Sequence, residues 1–183
     1  MPRSGEEARR RLQEAALDLY RRRGYDATTT AEIAAEAGVT ERTFFRHFAD
    51  KREVFFDGEA TLRAKLEKAI AEVPGSPAPL DVVQHAFRSV APFIESNRSI
   101  SEPRHPVIAA TPALYERQLA KTAALTKAMA EALEMRGVPS TDAALAADVG
   151  MAAFGHAARL WWEDPADGLE ALVIKAFAEV RKL

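Results

Sequence analysis

Apolar residues recur at helical spacing along almost the whole chain, and nowhere do they alternate in the manner of a strand. Leu12, Ala15, Ala16, Leu19 and Tyr20 form the first stripe, which a capping box at Ser4 and Glu7 opens and Gly24 closes. Arg21, Arg22 and Arg23 fall in its last turn, where cations favour the helix dipole; contact with a nucleic-acid backbone is the alternative for them. Thr29 and Glu32 make a second capping box ahead of Ile33 and Ala37, and Gly38 ends that short helix by taking a left-handed conformation. Thr40 caps a third helix, Glu41 to Phe48, with Phe44 and Phe48 sharing its inner face. Asp50 with Glu53 predicts the start of a long helix over 51–73 that carries Phe55, Phe56, Leu62, Leu66 and Ile70. Pro74-Gly75-Ser76-Pro77 stops it.

The remaining two thirds predicts more helices. One covers Leu80 to Asn97 and holds Pro92, which should kink it by deleting a backbone hydrogen bond. A loop rich in Ser, Pro and charge follows over 98–106, with room for a short turn of helix after it. Thr111 with Pro112 opens a helix that ends before Gly137, and Ser140 or Thr141 starts another that reaches Trp162. Asp164-Pro165 begins the last, with Leu169, Leu172, Val173, Phe177 and Val180 on one face. The pattern predicts an all-α protein of about nine helices, with a head over 1–50 and a helical body over 51–183, the helix at 51–73 bridging them.

The segment 28–51 has the form of two short helices around one tight turn. On the second of them Arg42 and Arg46 point away from Phe44 and Phe48, with Thr43 and His47 beside them. A short helix anchored by aromatics below and offering guanidinium groups above suits the DNA major groove, so this is a DNA-binding helix-turn-helix. Composition neither supports nor opposes that reading. The net charge of −2 creates no global field, and the argument rests on where the charges sit.

The absence of cysteine excludes disulfides, zinc fingers and thiol catalysis. The N-terminus lacks the apolar core of a secretory signal, and the run Met151 to Trp162 is broken by His156 and Arg159, so the expected compartment is the cytoplasm. His47, His85, His105 and His156 have no metal-ligand spacing, and no metal, cofactor or catalytic group is expected. Asp81 and His85, four apart, read as an ordinary hydrogen-bonded pair.

Phe87, Val90, Phe93 and Ile94 on one helix could line a cavity with Tyr115, Met129, Met151, Phe154 and Trp161 from its neighbours. Such spacing equally describes plain core; the expected kink at Pro92 favours a cavity for a small, mainly apolar effector. Arg98, Arg104 and His105 read as a solvated loop, or as a mouth for an acidic effector group. Residues 143–158 hold eight alanines with Gly150 and Gly155, which permit close helix approach within the chain or across a homodimer. Two-fold symmetry is expected independently, because one small recognition helix binds too weakly to select a site alone.

The run GYDATTTAEIAAEAGVTERTFFRHFADKREVFF, residues 24–56, resembles the N-terminal domain of TetR/AcrR-type bacterial transcriptional regulators. The resemblance implies a homodimer of about nine helices, the first three binding DNA and the C-terminal ones binding an effector and dimerising. It implies phosphate contacts at Thr29, His47 and Lys51, and base or backbone contacts at Thr40, Arg42, Thr43 and Arg46. Arg42 stands where many members have Gly; Phe45 stands where Tyr is common, leaving packing without a hydroxyl. The C-terminal half, through Arg104, Pro106, Thr111 to Leu114, Glu116-Arg117, Arg136-Gly137 and Trp162, is similar to an actinobacterial subgroup of mycofactocin type. That similarity implies an apolar or acyl-type effector. The resulting expectation is a one-component repressor that binds a near-palindromic double-stranded operator as a homodimer and is released by its effector. One rival is a DNA-binding protein without small-molecule control, architectural or governed by a protein partner. The other is a small helical enzyme that keeps the head as a relic, for which the sequence supplies no machinery.

Overall fold

The computed structural model describes residues 2–183, with side chains from Gly5 onward. Ten α-helices and two single 3-10 turns make up its regular structure, and no strand occurs among the described residues. The chain divides into two compact units, one made of residues 1–57 with 100–118 and the other of 58–99 with 119–183.

In the first unit, α1 (Pro2–Arg23) begins ahead of the expected cap at Ser4, whose side chain lies outside the described residues. Its stripe from Leu12 to Tyr20 is buried against α2 (Thr30–Glu36) and α3 (Glu41–His47). Both elements of the Thr29–Glu32 box are formed, and Thr40 Oγ1 accepts from Thr43 N–H at 3.2 Å. The tight turn between these helices needs Gly38, at φ +65°, where a side chain would be strained.

The bridging helix over 51–73 does not form as one element. Asp50 does cap, its Oδ1 accepting from Arg52 N–H and Glu53 N–H, but the cap opens only a 3-10 turn, Glu53–Phe55. Val54, Phe55 and Phe56 are three consecutive buried residues, which no one-sided helical stripe can accommodate. Gly58 at φ +89° then breaks the path, and α4 spans Glu59–Glu72.

The expected loop at 98–106 is also corrected. It is a string of helical turns: α6 (Arg98–Ser101), a 3-10 turn (Glu102–Arg104) and α7 (His105–Ala110), leading into α8 (Pro112–Met135). Residues 100–118 belong with the first unit, so a division at residue 50 separates parts of one core. Leu114 is fully buried there, and Val107, Ile108 and Ala113 pack against the same core. Arg117 makes a bidentate ion pair with Glu53 at 2.6 and 3.0 Å and lies over the Phe56 ring. Arg104 is buried over the Phe55 ring, and burial lowers its pKa.

The second unit packs α4, α5 (Pro79–Ser96), α9 (Ser140–Glu163) and α10 (Leu169–Val180) with α8 around one apolar core. The alanine-rich face of α9 turns inward. Ala143, Ala147, Gly150 and Ala157 are buried, and a Cβ on Gly150 would meet Val83 and Phe177. Intrachain packing is therefore what these small residues serve. Helix α10 starts at Leu169, later than Asp164-Pro165 predicts, because Glu95 on α5 accepts from the Leu169 N–H at 2.6 Å and caps it there. Asp81 pairs with Arg181, not with His85. No described helix is long and apolar enough to cross a membrane.

Candidate nucleic-acid interface

The outward face of α3 is the site that the first unit builds. Phe44 and Phe48 anchor the helix from below, with Arg9 over the Phe48 ring at 5.0 Å. On the other side Arg42, Phe45 and Arg46 are exposed, Phe45 by 53%. Neither Arg42 nor Arg46 has an ion-pair or side-chain hydrogen-bond partner among the described residues. Around them, arginines are matched: Arg9 with Asp57, Arg10 with Glu7 and Glu14, Arg52 with Asp50, Arg117 with Glu53. In the tract 21–23, Arg22 pairs with Asp18 and Glu36 and Arg23 with Glu32, while Arg21 donates to the carbonyl of Pro103. Two unneutralised guanidinium groups thus flank an exposed aromatic ring on one short helix.

The remaining sequence-predicted residues have differing surroundings. Thr29 and Thr40 are exposed, with hydroxyls engaged in capping their helices; Thr40 Oγ1 also shares a hydrogen bond with Thr43 Oγ1 at 3.1 Å. His47 is half-buried, and its Nε2 is buried without a hydrogen-bond partner. Burial first, then the nearby Arg46 and Arg9, lower its pKa below the usual histidine value. Lys51 has a structural role that its spacing did not reveal. Its Nζ donates to Tyr25 O and Thr28 O, both at 2.8 Å, and lies 4.2 Å from the Tyr25 ring centroid, clamping the loop before α2. Two of its three donors are thereby used. Lys51→Ala should lower unfolding stability by about 2 kcal/mol, as charged hydrogen bonds to carbonyls are lost; denaturant titration measures this.

Sequence reasoning missed Glu41. Thr30 Oγ1 donates to Glu41 Oε1 at 2.5 Å, joining the start of α2 to the start of α3. Eleven residues and a turn separate the pair, so no periodicity could have signalled it.

The nine residues expected to line a cavity are placed otherwise. Phe87 and Phe154 stack on each other at 4.3 Å, Val90 and Met129 are buried in the core, and Ile94 and Met151 pack against it. Trp161 is buried beneath the Arg98 guanidinium, which also donates to Trp161 O, and Lys65 lies over Phe93. Tyr115 is half exposed and belongs to the first unit. A recess of about 460 Å³ lies instead between α8 and α9, along Leu119, Ala123, Thr126 and Ala130 on one wall and Ala144 and Asp148 on the other. None of the nine lines it.

The profile of the bacterial regulatory proteins of the tetR family matches residues 12–57. The transcriptional regulator TcmR of Streptomyces glaucescens is 38% identical over 82 residues, covering 45% of this chain and 36% of that protein. The chain therefore spans about a third of that relative's length. A candidate mycofactocin biosynthesis transcriptional regulator of Mycobacterium tuberculosis, MftR, is 24% identical across 97% of this chain and 94% of its own. Among solved structures, the TetR-family repressor FadR of Thermus thermophilus, in complex with lauroyl-CoA, superposes with a TM-score of 0.55 at 26% identity, over 93% of this chain and 91% of that one.

Proposed function

From the membership of this chain in the TetR family of bacterial regulatory proteins, we propose that it is a DNA-binding transcriptional regulator, not an enzyme, and that α3 is its recognition helix. The observation that carries the reading is the outward face of α3, with Arg42 and Arg46 unpaired beside the exposed Phe45. Cations held free of internal partners are available to phosphates and guanine edges. Thr29, Thr40, Thr43, His47 and the remaining donor of Lys51 would serve as backbone contacts around them. Selection from a pool of random duplex DNA by the full chain should enrich a near-palindromic operator whose half-sites lie about one helical turn apart. Enrichment of nothing would remove the function.

A palindromic site needs a homodimer. In support, Leu145, Leu160 and Ile174 are exposed on α9 and α10, with the half-buried Val149 on the Leu145 side. Light scattering should give twice the 20.0 kDa chain mass. Leu145→Asp with Ile174→Asp should return the monomer mass.

The proposed activity is repression relieved by a small, mainly apolar effector. Support comes from the lauroyl-CoA held by the Thermus neighbour and from the recess between α8 and α9, which moves the candidate site away from the nine residues named above. Lauroyl-CoA is the probe. Typical allosteric coupling would weaken operator binding about 5- to 150-fold, whereas an unchanged affinity would favour a DNA-binding protein without small-molecule control.

Binding should also depend on pH. Burial, then Arg46 and Arg9, favour the neutral form of His47, and a phosphate beside it would raise its pKa. Protons are then taken up on binding, so affinity should rise as pH falls between the raised pKa of the complex and the lowered pKa of the free protein. His47→Gln should flatten that dependence.

A further inference from the structure

We propose that Glu41 is a specificity-determining residue, its carboxylate accepting a hydrogen bond from a cytosine amino group in the major groove. The inference rests on the DNA-binding role of α3 and adds to it a base that the helix selects.

Glu41 is the first residue of α3, and the N-terminal residues of a recognition helix are those that meet base edges. It is exposed, and no ion pair among the described residues involves it. On the two short helices Glu32 and Glu36 each face an arginine, whereas Glu41 faces none. A carboxylate left at full charge on the face turned to a polyanion weakens every non-specific encounter. A donor on the DNA that meets this carboxylate would offset that repulsion.

The geometry supplies the rest. Thr30 Oγ1 holds Oε1 of Glu41 at 2.5 Å, which fixes the side chain and leaves Oε2 available as an acceptor on an exposed residue. In the major groove cytosine offers an amino donor alone, adenine sets its amino donor beside the N7 acceptor, and thymine and guanine offer acceptors, so a carboxylate is repelled least by cytosine. Phe45, one helical turn further on the same flank and 53% exposed, adds an apolar surface suited to a thymine methyl group. The Glu41–Phe45 flank is therefore complementary to a pyrimidine strand.

The test compares operators selected from random duplex DNA by the full chain, by Glu41→Gln and by Thr30→Val. Glutamine keeps the acceptor for Thr30 and the length of the side chain, so the fold is preserved and only the charge and donor pattern change. The selected half-site should contain a cytosine whose replacement by thymine lowers wild-type affinity about 5- to 150-fold. Glu41→Gln should move the preference at that position from cytosine to adenine, and Thr30→Val should broaden it. Replacing an adjacent thymine by uracil should weaken the wild type and leave Phe45→Ala unaffected. If Glu41→Gln selects the wild-type sequence, or gains affinity equally for all sequences, Glu41 is a structural tie between α2 and α3 and the proposal is overturned. If the wild type enriches no sequence, the DNA-binding reading itself fails.

Discussion

Gly150→Ala should destabilise the protein by about 1–3 kcal/mol or more, the usual range for overpacking a filled core. A Cβ at this position would lie 2.3 Å from Val83 Cγ1 and 3.3 Å from Val83 Cβ. Val83 is fully buried and β-branched, so it cannot swing aside as a long flexible side chain would. Relief requires α5 and α9 to separate. Gly155, five residues along the same helix, is the control, because a Cβ there meets nothing within 4 Å. Gly155→Ala should stabilise α9 by about 0.5–1 kcal/mol through helix propensity alone. Denaturant unfolding of both variants at one protein concentration should give shifts of opposite sign. Equal shifts would mean that the small residues of α9 do not serve close packing on α5.

The second large effect belongs to Leu114→Ala, expected to cost about 2–5 kcal/mol as a fully buried leucine is truncated. Leu114 lies far along the chain from α1, α2 and α3, yet it closes their core together with the Glu53–Arg117 ion pair. Hydrogen exchange should quicken in α1 and in the turn Glu53–Phe55. If exchange quickened only in α8, residues 1–57 would be a self-sufficient head.

The head was the most legible part of the sequence, because local chemistry determines it. The Thr29–Glu32 box, the Thr40 cap, Gly38 and the Phe44–Phe48 pair each involve residues within a few positions, and all form as their spacing predicts. Illegible features join distant segments. Nothing at Leu114 marks it as a core residue of the first unit, and Lys51 carries no sign that its ammonium will hold Tyr25 O and Thr28 O. The helix boundary at 51–73 failed for a related reason. Phe55, Phe56, Leu62 and Leu66 read as one stripe, although the first two enter one core and Leu62 and Leu66 the other. Hydrophobic periodicity marks burial without saying against what. The nine supposed cavity residues illustrate the same limit, since aromatic content at helical spacing describes a core such as the Phe87–Phe154 stack as well as a pocket wall. On α3 the pattern places Arg42 and Arg46 outward, but only the structure shows that Arg9, Arg10, Arg22, Arg23 and Arg52 are held by carboxylates and these two are not.

That distinction gives the most direct measurement, a fluorescence titration of wild type and Arg42→Ala against a selected operator and a scrambled duplex across salt concentrations. The account predicts that the wild type prefers its operator, with affinity falling linearly in log salt. Arg42→Ala should lose about 1–3 kcal/mol per half-site on the operator and much less on the scrambled duplex. Equal affinity of the wild type for both duplexes, or an Arg42→Ala variant that still discriminates fully, would contradict the claim that this face of α3 reads DNA.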